Sequence, residues 1–207
     1  MRGRFISFEG IDGAGKSSHV EHVARWLQAQ GIQVVLTREP GGTDLAEAIR
    51  ELVLARSMAP LTEALLVFAA RHDHVRQKIM PALAQGHWVV CDRFTDSSLV
   101  YQGDGRGLPA EILAWLAEHV HGGLWPDRTY WFDLSPAQAA QRVHARAPAD
   151  RFEAEQLGFF ERVAGGYARI ARESPVRVLR LDAAQTREHI AALIEADLRA
   201  MLTQATE

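Results

Sequence analysis

The sequence predicts an α/β protein in which a five-stranded parallel sheet carries helices on both faces, and three observations predict it. Short apolar runs bounded by turn residues alternate with longer stretches of helical periodicity, the pattern of strands joined by crossover helices. The first run, Phe5 to Glu9, passes directly into Gly10-Ile11-Asp12-Gly13-Ala14-Gly15-Lys16-Ser17, a match to G-x-x-x-x-G-K-[ST]. At 207 residues, 47% of them apolar and 24% charged, the chain suits one domain with a sizeable core, so residues 1–207 are read as a single domain.

Each fixed position of the glycine motif has a physical task. The glycines let the backbone curl so that its N–H groups face phosphate oxygens, Lys16 reaches the β- and γ-phosphates, and Ser17 can ligate Mg²⁺. A helix beginning near Gly15 adds its positive dipole end. The chain has only two lysines, Lys16 and Lys78, which makes the match specific. Gly10 to Ser18 are therefore read as an ATP cradle, and the fold as the three-layer P-loop NTPase arrangement.

Downstream, Val20, Val23, Ala24 and Leu27 recur at i, i+3, i+4, i+7 and give a helix ending at Gly31. Ile32 to Thr37 reads as the second strand. Arg38-Glu39-Pro40-Gly41-Gly42 follows, and Thr43 can cap a helix carrying Leu45, Ile49, Leu52 and Val53. A long helical pattern from Pro60 to Gln85 has Leu61, Leu65, Phe68, Ala69, Val75, Ile79 and Leu83 as its apolar face, with Pro81 expected to bend or end it. Trp88 to Cys91 is a continuous apolar run, as expected of a strand buried on both faces, and Asp92-Arg93 closes it. Pro109 opens another helix, with Ile112, Leu113, Leu116 and Val120 inward. Thr129 to Asp133 is the fourth strand, and Ser135-Pro136-Ala137-Gln138 fits a capping box. The arginine-rich segment 142–151 interrupts the apolar pattern, with Pro148 inside it. A helix resumes near Phe152 with Phe160, Val163, Tyr167 and Ile170 inward. Val176, Val178 and Leu181 mark the last strand, and Thr186 caps a final helix.

Composition narrows the function. A net charge of −3 argues against broad binding to nucleic acid or anionic membrane, and no apolar run approaches the roughly 18 residues of a membrane span. The single cysteine, Cys91, excludes an internal disulfide, so a reducing, cytoplasmic setting is expected.

In a parallel sheet, ligands bind at the carboxyl ends of the strands, which places Asp12, Arg38, Asp92-Arg93 and Asp133 along one rim. Asp92, closing an apolar strand, is suited to hold Mg²⁺ together with Ser17. A guanine-reading N-K-x-D stretch is absent, which removes a GTPase-type switch. Transfer to an anionic acceptor needs guanidiniums at the acceptor end, a role that Arg38, Arg71 and Arg93 fit. It also needs mobile ones over the transferred group, a role that fits the 142–151 segment. An acceptor that is already a phosphate has a second pKa of about 6, so it is a ready nucleophile at neutral pH without a general base. Two alternatives stay open: a deoxynucleoside kinase or another nucleoside monophosphate kinase, and a P-loop ATPase switch.

F-E-G-I-D-G-A-G-K-S-S, T-R-E-P-G-G-T at 37–43, F-A-A-R at 68–71, D-R-F at 92–94 and S-S-L-V-Y-Q-G at 97–103 resemble, in this order and spacing, the bacterial thymidylate kinases. The resemblance implies transfer of the γ-phosphate of ATP to dTMP with Mg²⁺, in a homodimer whose helix from Pro60 is a natural participant. It implies Asp12 near the sugar 3′-hydroxyl, Arg38 and Arg93 on the dTMP phosphate, Phe68 stacked on thymine and Arg71 on its carbonyl edge. Ser98 and Tyr101 would line the base and sugar pocket, with Gln102 beside them. Some members carry an arginine within the phosphate loop. Gly13 stands at that position here, so the catalytic arginine is expected from a lid at 142–151, among Arg142, Arg146 and Arg151. Glu39-Pro40 is a candidate cis peptide.

Overall fold

The computed structural model describes residues 2–144 and 157–204. Its sheet has five strands, β1 (Phe5–Glu9), β2 (Val34–Arg38), β3 (Trp88–Asp92), β4 (Arg128–Asp133) and β5 (Val178–Asp182), all paired in parallel in the order β2-β3-β1-β4-β5. Because β1 is central, all five of its residues are buried. Alternation along the strands splits the core in two. Ile6, Phe8, Val90 and Phe132 share one apolar cluster with Val20, Val23 and Leu27, while Phe5, Val89 and Cys91 pack with Val75, Ile79 and Leu83 in another. Helices therefore cover both faces.

The register aligns the strand ends: Phe8 lies opposite Asp92, Arg38 opposite Asp92, and Asp133 opposite Asp182. Every strand closes on a charged residue, Glu9, Arg38, Asp92, Asp133 or Asp182, which concentrates charge on one rim.

The helices are α1 (Lys16–Ala29), α2 (Asp44–Ala55), α3 (Pro60–His74), α4 (Met80–Ala84), α5 (Thr95–Ser98), α6 (Ala110–His121), α7 (Pro136–His144), α8 (Leu157–Glu173) and α9 (Arg187–Gln204). The expected caps form: Thr43 Oγ1 accepts from the Ala46 amide, Ser135 Oγ from that of Gln138, and Thr186 Oγ1 from that of His189.

One expectation needs correcting, the inward placement of leucines on α2 and α3, and two others are made specific. Pro81, expected to bend or end the long helix, does not end it. A π turn at Val75–Ile79, in which the Met80 amide bonds to the Val75 carbonyl, leads into α4, and this widened turn accommodates the ring that lacks an N–H. Leu45, Leu52, Leu61 and Leu65 point outward, each at least 44% exposed, because the inward stripes are Ala46 and Val53 on α2 and Ala64, Val67, Phe68 and Arg71 on α3. Arg142 is helical, lying within α7, where its guanidinium donates to the Ala183 carbonyl at 3.2 Å. Arg146 and Arg151 lie outside the described residues.

Candidate active site

Two cavities open at the carboxyl rim and share a wall. The first is polar and is lined by Asp12, Gly13, Gly15, Lys16, Ser17 and Ser18 of the loop and start of α1, together with Glu21, Arg38, Glu39, Arg50, Asp92 and Arg93. The second is lined by Pro40, Val53, Leu54, Val67, Arg71, Phe94, Ser97, Ser98, Tyr101 and Gln102. Asp12, Glu39, Arg50 and Arg93 stand between the two.

The loop takes its shape from glycine. Gly10 has φ +140°, and a Cβ there would sit 2.6 Å from the Phe132 carbonyl oxygen, so only glycine lets the chain turn this close to β4. Gly15, at φ +91°, is the N-cap of α1 and contributes no side chain, which leaves the first-turn amides to a ligand. Ile11 and Ala14 are buried and anchor the loop from behind. Lys16 Nζ donates to the loop carbonyls of Gly10 at 2.9 Å and Ile11 at 3.2 Å. Burial, helped by Arg93, pushes the Lys16 pKa below its usual range.

Asp92 Oδ1 is buried and has no hydrogen-bond partner, and Asp92 lines the same cavity as Ser17. An orphaned carboxylate oxygen on the same wall as a hydroxyl suits a hard divalent cation. The pair therefore fits Mg²⁺.

Arg93 sits at the shared wall with its guanidinium bonded on both terminal nitrogens. Its Nη2 donates to Asp12 Oδ1 at 2.5 Å and to the Tyr101 hydroxyl at 3.2 Å, and its Nη1 donates to Ser97 Oγ at 3.1 Å. Burial opposes ionisation of Asp12, but Arg93 and Lys16 outweigh it and hold the carboxyl below its ordinary range. Arg71 is 1% exposed and ion-paired to Glu39 at 2.7 Å. Its Nη2 donates to Ser98 Oγ at 2.9 Å and to the Phe94 carbonyl at 3.2 Å, while Nη1 is buried with no partner. A wholly buried guanidinium with one unused donor, on a cavity wall, is equipped to bind an acceptor atom of a ligand.

Phe68 is not among the residues lining this cavity; Val67 is. The Phe68 ring is 1% exposed, packed with Ala64, Leu113 and Leu116, and the Arg71 guanidinium lies 4.6 Å from its centroid. Val67, four residues before Arg71, lies closer to it in direction around the helix than Phe68, three before. Phe68 thus backs Arg71 within the core rather than facing the cavity. Arg38 is more than half exposed, paired with Glu47 at 2.8 Å, and lines the loop cavity but not the second. Gln102 lines the second cavity, and its Nε2 donates to the buried Glu63 at 2.8 Å.

Sequence reasoning missed Arg50, which lines both cavities and is fixed by the Pro40 carbonyl at 2.9 Å. It also missed Glu39, which joins Arg71 to His74, itself bonded to Thr37. The Glu39-Pro40 peptide is cis, as anticipated. The signal for Arg50 was weak, since it lies mid-helix among apolar residues. That for Glu39 was its place between a strand end and a proline.

A phosphate loop at the end of a central strand, beside a second cavity that shares its wall, is the layout of a P-loop nucleotide-binding protein with two ligand sites rather than one. Comparison with known proteins takes this further. The thymidylate kinase family model matches residues 8–194, and the chain belongs to that family. It is 52% identical over 207 residues to a thymidylate kinase of Alkalilimnicola ehrlichii, covering 98% of this chain and 95% of the relative. It is 57% identical over 192 residues to one of Verminephrobacter eiseniae, covering 88% and 85%. Among solved structures it resembles the thymidylate kinase of Ehrlichia chaffeensis with a TM-score of 0.78 and 32% identity, covering 96% of this chain and 99% of that one.

Proposed function

We infer that the protein phosphorylates dTMP to dTDP at the expense of ATP. The observation that carries this reading is the shared wall: Arg93, Asp12 and Arg50 face both the phosphate-loop cavity and the cavity holding Arg71. A γ-phosphate delivered by the loop and an acceptor phosphate in the second cavity would meet there. In-line transfer between two phosphates is mostly positioning and charge neutralisation, which Arg93 and Arg50 supply.

In this reading the amides of Gly10 to Ser18 and Lys16 hold the ATP phosphates. Ser17 and Asp92 would hold Mg²⁺, which would supply charge neutralisation for the transferred phosphate. Arg93, with Arg38 and Arg50 nearby, clamps the acceptor phosphate, and Asp12 orients Arg93 and meets the sugar. Arg71 offers its unused Nη1 to a base carbonyl, while Ser98, Tyr101 and Gln102 enclose base and sugar. The base rests on Val67 and Phe94 in place of the expected Phe68. Among Arg142, Arg146 and Arg151, the lid arginine completes the transition-state charge.

No helix among the described residues is long and apolar enough to cross a membrane. The protein is proposed to act in the cytoplasm as a homodimer, its exposed Leu45, Leu52, Leu61 and Leu65 on α2 and α3, with Trp115 on α6, covered by a second copy.

The test is Mg²⁺-dependent ADP release from ATP with dTMP, thymidine, dUMP, AMP or no acceptor, run beside Arg93→Ala. Turnover with dTMP but little with thymidine, and a loss of kcat/KM for dTMP on the order of 10²–10³-fold in Arg93→Ala, is the expected result. Turnover with thymidine but not dTMP would move the assignment to a nucleoside kinase, and acceptor-independent hydrolysis to an ATPase.

A further inference from the structure

Glu9, the last residue of β1, is completely buried and lines neither cavity. Its carboxylate nevertheless gathers three donors from distant parts of the chain. Oε1 accepts from the Phe94 amide at 2.7 Å, and Oε2 accepts from the Ser97 hydroxyl at 2.6 Å and the Tyr167 hydroxyl at 2.8 Å. All three bear on Arg93. Phe94 is the next peptide, and Arg93 Nη1 donates both to Ser97 Oγ at 3.1 Å and to the Tyr167 hydroxyl at 3.4 Å.

A hydroxyl has one proton. With those of Ser97 and Tyr167 directed to Glu9, their lone pairs are turned toward the guanidinium, so the carboxylate sets the polarity of two contacts it does not itself make. It also acts on the backbone. Arg93 has φ +69°, the one positive φ at a non-glycine among the described residues. Such a conformation costs about 1–3 kcal/mol and persists only where the surroundings over-determine it. Here the Arg93 amide is held by the Phe8 carbonyl at 2.9 Å, the Arg93 carbonyl by the Cys91 thiol at 3.0 Å, and the following amide by Glu9.

We propose that Glu9 is a positioning residue for the acceptor clamp: it fixes Arg93 through Phe94, Ser97 and Tyr167, and through Tyr167 it ties the clamp to α8. This rests on the reading of Arg93 as the group that holds the acceptor phosphate. It assigns Glu9 no contact with either substrate. A buried carboxylate that only stabilises the fold would satisfy the same three donors without any selective effect on the acceptor, and a binding cycle separates the two.

The experiment measures dissociation constants for dTMP and for ATP by titration calorimetry, with melting temperatures alongside, on the full chain. The variants are Glu9→Gln, Tyr167→Phe, Arg93→Ala and the doubles Glu9→Gln/Arg93→Ala and Tyr167→Phe/Arg93→Ala. Glu9→Gln keeps the volume and one acceptor oxygen but presents an NH₂ where Ser97 and Tyr167 donate. It is expected to weaken dTMP by about tenfold and ATP by less than about twofold. Tyr167→Phe should weaken dTMP by about threefold. Both effects should vanish in the Arg93→Ala background, because the effect travels through that side chain. Losses that multiply with Arg93→Ala, equal weakening of ATP and dTMP, or unchanged dTMP binding in both single variants would overturn the proposal. If Glu9→Gln does not fold, the Tyr167→Phe cycle decides. Arg93→Ala binding dTMP as tightly as the wild type is a separate result, and it removes the clamp reading itself.

Discussion

The two cavities are fixed by different kinds of bond. On the acceptor side, guanidiniums are tied to carboxylates: Arg71 to Glu39, both at most 2% exposed, and Arg93 to the partly exposed Asp12 of the shared wall, with the buried Glu9 behind its neighbours. In the loop cavity, the hydrogen bonds of Lys16 go to the carbonyls of Gly10 and Ile11, and Arg38 is held by a Glu47 that is itself 39% exposed. The difference matches what each ligand brings. A triphosphate carries enough charge to draw Lys16 from neutral acceptors, whereas a monophosphate with a methylated base must be recognised by groups already in place. Preorganisation is thus concentrated on the less charged substrate.

The comparison breaks most visibly at Glu39. Glu39→Ala leaves Arg71 as a buried charge without its ion pair, and a stability loss of about 3–5 kcal/mol is expected in urea unfolding. A loss below 1 kcal/mol would mean that the acceptor cavity is not held by this pair. Lys16→Ala should behave in the opposite sense, with kcat falling by about 10²–10³-fold while the melting temperature barely moves, since the hydrogen bonds lost go to neutral carbonyls. A protein that melts much earlier would erase the contrast between the cavities.

Acidity provides a finer probe. Burial, with Asp96 adding to it, pushes the Glu9 carboxyl from 4.5 up to about 7 against the opposing pull of Ser97 and Arg93. The groups that face it are Asp96 from α5, Arg93 and Lys16 at the rim, and Tyr167 from α8. Ionised above about 7, Glu9 accepts all three donors; protonated below, it does not. Affinity for dTMP should therefore fall by a few fold as pH drops through about 7. The second phosphate pKa of dTMP, about 6, titrates nearby, so Glu9 is isolated as the difference between wild type and Glu9→Gln, and superimposable profiles would reject it. The smallest effect is expected at the exposed pair: Glu47→Ala should change stability by less than about 1 kcal/mol, read from the same urea curves.

Much of this was legible in the chain. The parallel sheet covered on both faces followed from the alternation of strands and helices, although its strand order did not, and the loop, Asp92 and Arg93 announced themselves by standing at the ends of apolar runs. What escaped notice was of a different kind. Phe68 fits the apolar stripe of its helix and a base-stacking role equally well. One residue of rotation, which places Val67 on the cavity and Phe68 in the core, is decided by how α3 packs on α6. Leu61 and Leu65 misled for the same reason, because periodicity reports that a face is apolar and not which partner covers it. Glu9 was visible as a carboxylate closing a buried strand, yet its partners Ser97 and Tyr167 are 88 and 158 residues away. Nothing local encodes such a meeting.

The sheet order also bears on how the chain comes together as it is made. The strand synthesised first is the one that ends in the middle, and both of its neighbours, β3 and β4, come from much later in the chain. Phe5, Ile6 and Phe8 therefore have no lateral partner until β3 has been made, about 80 residues further along the chain. The phosphate loop that hangs from β1 gains a fixed end only then. Vectorial synthesis thus leaves the nucleotide site unformed until the Arg93 strand has docked, and the Tyr167 contact to Glu9, from the last quarter of the chain, closes the assembly.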